Sequence, residues 1–182
     1  MSALPLRVET ATAADLPAIR GAYANAQVMQ RAQRAPEWPG FSDESILREI
    51  ADGRLYRIMD GDAVAGAFTV AYDDAAIWGD LERGAHIYLH RIARTEHRTT
   101  GRLMDAVMSW SLARCEELGR EGLRIDTWAA NPALVAYYGS FGFDLVTTRR
   151  MGDDPRLSPH YIGLELALME RPGRTTATKS SR

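Results

Sequence analysis

Apolar residues in the first fifty positions recur at the spacing of two amphipathic helices. The first helix follows a stretch from Thr12 to Asp15 that resembles a capping box. The second follows a proline-rich loop at 36–40, has Ser42 as its N-cap and ends at Gly53. Their apolar faces are Leu16, Ile19, Tyr23, Ala26 and Met29 in the first helix and Ile46, Leu47 and Ile50 in the second.

The rest of the chain alternates between strand and helix patterns. Residues 55–59 and 64–72 are β-favouring runs around Asp60 and Gly61, which is a hairpin signal, and a polar loop follows at 73–84. Further strands are predicted at 87–93, 123–129, 143–148 and 161–169, and helices at 103–118 and after Asn131. With one initial strand, this order predicts an α/β (α+β) fold around a single sheet of six to seven strands with about four flanking helices.

Length and composition fit one small domain. A chain of 182 residues can bury roughly 70% of its unfolded surface in a single core. We expect residues 1–170 to form that domain and residues 171–182, which have almost no apolar side chains, to be disordered. The net charge of −2 and the pI near 6.1 argue against a nucleic-acid partner, because binding a phosphate backbone normally needs a basic face.

Other sequence signals point to a protein of the cytoplasm. The chain has one cysteine, Cys115, and no Cys/His spacing typical of a metal site, so neither a disulfide nor a metal is predicted. The N-terminal residues lack the apolar core of a signal peptide, and no apolar run is long enough to span a membrane. We therefore expect a soluble, cytoplasmic protein without a membrane partner.

The segment 125–143 joins a strand to a short helix through one asparagine. Asn131 is a favourable N-cap, and Pro132 suits the first helical position. Leu134, Tyr137 and Tyr138 follow at helical spacing, and glycines 139 and 142 end the helix. Two interpretations of these residues stay open, because Asn131 could be a helix cap alone and Tyr138 a packed aromatic whose hydroxyl binds the backbone.

The layout N-x-x-L-x-x-x-Y-x-x-x-G-F in this segment resembles the C-terminal motif of the GCN5-related N-acetyltransferase (GNAT) superfamily. The matching positions are Asn131, Leu134, Tyr138, Gly142 and Phe143. The order of predicted elements is similar to that of the whole GNAT fold over residues 6–170. The resemblance implies a V-shaped splay between the strands that end near Ala93 and Ala129, with acetyl-CoA as co-substrate in the gap.

The resemblance also implies where acetyl-CoA is held. Unpaired backbone groups of splayed strands can pair with the pantetheine arm as if it were another strand, and Ile92, Ala93 and Arg94 are predicted to lie along it. A backbone N–H there would stabilise the thioester oxyanion. Asn131 and Tyr138 are predicted to contact the cofactor from the opposite strand and its helix.

The predicted pyrophosphate loop departs from the family pattern Q/R-x-x-G-x-G/A. Registered on Arg98, it keeps one glycine, while Leu103 replaces the second. The candidate phosphate ligands are Arg98, Thr99, Thr100, Gly101 and Arg102. An ordinary threonine-capped helix with solvent-facing arginines is the alternative. A leucine at 103 is tolerable if its side chain points into the sheet.

The family chemistry is direct attack of a free amine on the thioester, without an acyl-enzyme. Tyr138 matches the general acid that protonates the departing thiolate. His90 is the first candidate for the base, and the alternative is a strand histidine bonded to a neighbouring backbone group. Further candidates are His86, Asp80 and Glu82, whereas His97, His160 and Cys115 receive no catalytic role.

The acceptor is predicted to be the primary amine of a small molecule. Trp38, Tyr72 and Trp78, together with nearby carboxylates, would form aromatic walls suited to a cation. A homodimer could form if the strand at 161–169 is an exposed edge. Because the phosphate loop is degenerate, an inactive acyl-CoA-binding or regulatory domain is the alternative function.

Overall fold

A computed structural model describes residues 5–97, 99 and 101–173 of the chain. The described residues form one seven-stranded sheet in the order β1-β2-β3-β4-β5-β7-β6, in which only the β4–β5 pair is parallel. The strands are β1 Arg7–Thr10, β2 Leu55–Asp60, β3 Ala63–Ala71, β4 His86–Arg94, β5 Gly122–Trp128, β6 Asp144–Arg150 and β7 Glu165–Pro172. The mixed sheet of six to seven strands that the sequence predicts is confirmed.

Helices cover both faces of this sheet. They are α1 Leu16–Ala32, α2 Asp43–Ala51, α3 Ala75–Trp78, α4 Leu103–Leu118 and α5 Pro132–Gly139, with short 3₁₀ turns at Ala13–Asp15, Gly79–Leu81 and Pro159–Tyr161. Ser42 caps α2 as predicted, because its Oγ accepts a hydrogen bond from the Ser45 N–H. No helix among the described residues is long and apolar enough to cross a membrane.

Three predicted boundaries were wrong. The stretch 73–84 contains α3 and a 3₁₀ turn rather than only a loop. The last strand begins at Glu165 rather than 161, because Pro159–Tyr161 forms a 3₁₀ turn before it. It continues to Pro172, three residues past the predicted end of that strand at 169. Residues 174–182 lie outside the described part of the chain.

Side-chain alternation gives the sheet two different faces. One face packs on α4 through an apolar core that includes Phe68, Val70, Leu89 and Ile125. The opposite face meets α1, α2 and the segment between β6 and β7, and its central positions are polar. Thr69 on β3 and His90 on β4 are paired across the strands, so both side chains lie on this second face.

Strands β4 and β5 separate along their length. Their pairing covers only His86, Ile87 and Tyr88 against Gly122, Leu123 and Arg124. Beyond it, β4 stays paired with β3 and β5 with β7, whereas residues 89–94 and 125–128 do not pair with each other. This is the V-shaped splay that the sequence predicts.

A β-bulge at Arg91 accompanies the splay. The β3–β4 register shifts between Ala67 and Thr69, and Arg91 has a φ of 50°. The Arg91 guanidinium binds the Glu49 carboxylate of α2 and lies over the Phe41 ring, 4.8 Å from its centroid. The side chain therefore holds the bulge against the helical layer.

The strand proposed for dimer formation is not an edge. β7 is paired on both sides, with β5 and with β6, so it offers no free backbone to a second copy. The edges of the described sheet are β1 and β6. The homodimer stays a prediction, without the edge strand that suggested it.

Candidate active site

A cavity of about 160 Å³ opens where β4 and β5 diverge. Its walls come from both splayed strands, from α5, from the end of α1 and the loop after it, and from the segment after β6. Residues of the strands and of α5 that line it include Leu89, His90, Arg91, Ile92, Ile125, Asp126, Thr127, Trp128, Asn131, Leu134 and Tyr138. The splay therefore brings His90, Ile92, Asn131 and Tyr138 of the sequence-predicted site to one place.

Asn131 is both a helix cap and a cavity residue. Its Oδ1 accepts a hydrogen bond of 3.1 Å from the Leu134 N–H, and Pro132 follows at the first helical position. At the other end of α5, Gly142 has a φ of 84°, which a glycine adopts without strain. The local sequence thus fixes both ends of the helix that carries Tyr138.

Tyr138 is partly buried between the core and the cavity. Its ring lies edge-on to Phe143, with 6.2 Å between the centroids. Burial, with smaller contributions from Tyr137 and the Asp126 carboxylate, raises the pKa of Tyr138 above its usual value. The phenol therefore keeps its proton at neutral pH, as a proton donor must.

His90 lies between two carboxylates rather than against a backbone group. Its Nε2 is 3.2 Å from Asp74 Oδ2, and its Nδ1 is 3.4 Å from Asp126 Oδ1. Burial opposes the charged form, but the Asp126 and Asp74 contacts outweigh it and raise the pKa of His90 to about 9. At pH 7 the side chain is an imidazolium, so it has no free lone pair to accept a proton.

Asp74, His90 and Asp126 form a compact charged cluster. One ligand atom from each lies within 4.8 Å of the others, and among the described residues this is the group that could hold a metal ion. The cluster has two carboxylates for one imidazolium. The excess negative charge would favour a cation nearby.

A second cavity of about 400 Å³ adjoins the first on the polar face of the sheet. Trp38, His90, Arg91, His160 and Tyr161 line both cavities, so the two spaces meet at these side chains. Burial lowers the pKa of His160, while the Asp126 carboxylate partly opposes this and Arg91 adds to it. His160, which received no role from the sequence, is therefore neutral at pH 7.

Of the three aromatic residues predicted for the acceptor side, Trp38 lines both of these cavities, and Tyr72 and Trp78 line neither. Trp78 is 1% exposed and packs on Tyr88 and the Arg124 guanidinium. Tyr72 packs against the core on the opposite face of the sheet. Strand alternation explains why Tyr72 lies on that face, because its neighbours at 71 and 73 line the second cavity and successive side chains point to opposite faces.

The start of α4 accommodates Leu103 as the sequence allowed. Leu103 packs into the sheet at Gly66, where a β-carbon would collide with its Cδ2 methyl and with the Ala93 carbonyl oxygen. Arg102 caps the helix without a side-chain bond to its first amides and pairs with Asp105. The Leu103 side chain thus points into the sheet, as the sequence analysis required.

The remaining predicted cofactor residues are placed as follows. Ile92 lines the splay cavity, whereas Ala93 is buried and pairs with Ala67 of β3. Arg94 is exposed, and its carbonyl oxygen accepts a hydrogen bond from Asn25. Thr99 donates to the Gly101 carbonyl. The predictions for residues 98 and 100 lie outside the described residues.

The other candidate bases are away from both cavities. His86 is 2% exposed and approaches Glu170, and Glu82 accepts hydrogen bonds from backbone N–H groups of its own loop. Asp80 is an exposed residue of a 3₁₀ turn. Cys115 is buried in the core, and burial raises the pKa of its thiol to about 11, which does not suit a nucleophile.

Sequence reasoning missed several residues that line the cavities. Asp126 stands in an otherwise β-favouring strand that is mostly buried, and a carboxylate in such a run is itself a signal of function. Glu49 and Tyr161 come from two other parts of the chain, and nothing in their local patterns indicates that they meet. Asp74 is one of the loop carboxylates that the sequence places on the acceptor side, and it does line the second cavity.

Neither protein-family models nor curated protein sequences match this chain. Solved structures do. A GNAT-family acetyltransferase from Listeria monocytogenes aligns with a TM-score of 0.67 and 21% identity over 93% of this chain and 98% of its own. A phosphinothricin acetyltransferase from Sinorhizobium meliloti, solved with acetyl-CoA, aligns with a TM-score of 0.64 and 24% identity over 98% of this chain and 95% of its own. The yncA protein of Salmonella typhimurium, also solved with acetyl-CoA, aligns with a TM-score of 0.66 and 15% identity over 97% of this chain and 99% of its own. The chain therefore has the fold of the GNAT acetyltransferases.

Proposed function

We propose that the protein is an acetyl-CoA-dependent N-acetyltransferase that transfers an acetyl group directly to the primary amine of a small molecule. The observation that carries this proposal is the cavity at the β4–β5 splay, which has Asn131 and Tyr138 in its wall and opens to a second, polar cavity. Two adjoining spaces suit a ternary complex, in which most of the rate comes from positioning the two reactants.

The cofactor would bind along the splay. The pantetheine arm pairs with the free backbone of residues 89–94 and 125–128, as an added strand does, with Ile92, Ala93 and Arg94 beside it. The diphosphate lies at the N-terminus of α4, where Thr99, Gly101 and Arg102 supply backbone and side-chain donors. Arg98 and Thr100 are assigned to the same group from the sequence alone.

An acceptor that binds as an ammonium first releases one proton to solvent. The attacking amine then loses a second proton, and the sulfur gains one. The neutral amine attacks the thioester carbon, and a backbone N–H of β4 stabilises the oxyanion. The C–S bond then breaks, and the Tyr138 phenol donates its proton to the CoA thiolate. The proton that the amine loses passes to His90 in its neutral form, and the products are an amide and CoA.

The acceptor would enter as a cation through the second cavity. Its ammonium group is attracted by the Asp74 and Asp126 carboxylates, which outnumber the imidazolium between them. The arginines that line the second cavity, Arg54, Arg91 and Arg156, are each paired with a carboxylate of their own. Trp38 and Phe41 supply an aromatic wall for the rest of the molecule. A space of about 400 Å³ suits a small molecule better than a protein chain.

Titration calorimetry with acetyl-CoA and with CoA tests the cofactor site. We expect micromolar binding of both ligands, weakened in Asn131→Ala, with Asn131→Asp as the matched variant that keeps the helix cap. CoA release with a panel of primary amines then tests transfer. Absence of binding at millimolar ligand would contradict the proposal, and binding without transfer to any amine would leave an acyl-CoA-binding domain.

The pH dependence of kcat tests His90 as the proton acceptor. Because its pKa is raised to about 9, the neutral form increases as the pH rises, and we expect kcat to rise tenfold per pH unit below pH 8 and to level off above 9. If kcat instead completes its rise below pH 6.5, the proton acceptor would be His160, whose pKa is lowered by burial.

A further inference from the structure

Asp74 reaches His90 from the start of α3, a helix of four residues. An aspartate at this position usually caps its helix, but the Asp74 side chain makes no bond to the amides of α3. Asp73 accepts a hydrogen bond from the Ala75 N–H instead, which leaves the Asp74 carboxylate free to face His90. A helix this short is not stable by itself, so other contacts must fix the position of Asp74.

The Glu82 carboxylate joins the two ends of the segment 74–82. Its Oε2 accepts a hydrogen bond of 3.0 Å from the Asp74 N–H, and its Oε1 accepts one from the Gly84 N–H. Burial opposes the charged form, but the Tyr88 hydroxyl and these N–H groups outweigh it and lower the pKa of Glu82 below its usual value. Glu82 is therefore ionised at neutral pH, and its hydrogen bonds are of the stronger, charge-assisted kind.

A buried arginine supports Glu82 from β5. Arg124 is 2% exposed, and its Nη1 donates to the Tyr88 hydroxyl at 3.1 Å and to the Leu81 carbonyl oxygen at 2.8 Å. Tyr88 and Arg124 are the last paired residues of β4 and β5 before the splay. The hydroxyl of Tyr88 in turn contacts Glu82. A continuous set of polar contacts therefore runs from the paired end of the two strands to the backbone of Asp74.

We propose that Glu82 is a positioning residue, which fixes the Asp74 backbone so that the Asp74 carboxylate faces His90 and the incoming amine. Glu82 lines neither cavity, so it acts through Asp74 and does not touch the acceptor. The effect on transfer rests on the proposed acetyltransferase function, whereas the contact between Asp74 and His90 can be measured without any reaction.

The ¹⁵N chemical shifts of the His90 ring in the full chain test this proposal. Nε2 lies beside Asp74 and Nδ1 beside Asp126, so the two nitrogens report the two carboxylates separately. Spectra at about pH 6, well below the raised pKa of His90, keep the ring charged. We expect Glu82→Ala to move the Nε2 shift by at least half of the change that Asp74→Asn causes, and to move the Nδ1 shift by less.

Asp80→Ala is the matched control, because it removes the same charge from an exposed position in the same segment. It should leave both ring shifts unchanged. Glu82→Gln, which keeps one acceptor oxygen, is the second variant in case Glu82→Ala does not fold, and it should move the Nε2 shift in the same direction by less. In the Asp74→Asn background, Glu82→Ala should cause no further change in Nε2, because the two residues act in one network.

An unchanged Nε2 shift in both Glu82 variants would overturn the proposal. An equal change in Asp80→Ala would do the same, because the effect would then be one of net charge. A full additional change in the Asp74→Asn background would show that Glu82 does not act through Asp74, which also overturns the proposal.

In the transfer assay with butylamine, Glu82→Ala should raise the acceptor KM by about tenfold and leave the affinity for acetyl-CoA within about twofold, as expected for residues coupled in one network on the acceptor side. An unchanged KM, or an equal loss of acetyl-CoA affinity, would contradict the positioning role. Absent CoA release in the wild type would count against the proposed transfer, and the His90 ring shifts would still decide the role of Glu82.

Discussion

Tyr138→Phe is expected to lower kcat by about 100-fold while changing the affinity for acetyl-CoA less than threefold, in line with the usual contribution of one general acid. The phenol lines the splay cavity, and its raised pKa keeps the proton that the CoA thiolate needs. Phenylalanine keeps the ring that packs on Phe143, so the cavity retains its shape. Single-turnover CoA release and acetyl-CoA titration measure the two effects separately.

Tyr137→Phe is the matched control for this substitution. Tyr137 is adjacent in the chain and 45% exposed, and it does not line the splay cavity. Loss of its hydroxyl should leave kcat within about twofold, as is usual for surface changes. Equal kcat values for Tyr138→Phe and the wild type would remove Tyr138 from the proton transfer and leave it as a packed aromatic.

His90→Gln is expected to lower the free energy of unfolding at pH 7 by about 3 kcal/mol, the size typical for removing one partner of a buried ion pair. The imidazolium separates the Asp74 and Asp126 carboxylates, and both of these side chains are mostly buried. Without it, two negative charges face each other in a poorly hydrated space. Urea unfolding followed by circular dichroism measures the loss.

The loss of stability in His90→Gln should depend on pH in a defined direction. The pKa of His90 is raised from 6.5 to about 9, so its stabilising effect is fully present below pH 6.5 and is lost as the pH rises through 9. The difference between wild type and His90→Gln should therefore shrink between pH 7 and 10. A constant difference would mean that the substitution acts through packing and not through charge.

A double variant separates charge from side-chain size. Adding Asp74→Asn to His90→Gln removes one of the two facing carboxylates, so we expect it to recover more than half of the lost stability. Asp73→Asn, at the exposed neighbouring position, is the control and should recover none. Recovery by both substitutions alike would indicate a general effect of net charge.

Local signals in the sequence determined the elements that carry the cofactor side. Leu103–Leu118 has the bounds that its periodicity predicts, and Asn131 caps α5 as its residue type indicates. The motif around Tyr138 led to the GNAT fold and its β4–β5 splay. Each of these signals is read from residues that are close together in the sequence, where residue type and spacing determine the local structure.

Only the tertiary structure decided the acceptor side. Asp74, His90 and Asp126 come from three separate elements, and their meeting depends on the sheet register and the bulge at Arg91. The same register turns Tyr72 to the opposite face. Contacts between distant elements follow from strand pairing and helix packing, and a one-residue change in register reverses the face of every side chain. The sequence therefore determined the fold and the cofactor gap, and the three-dimensional packing determined what surrounds the amine.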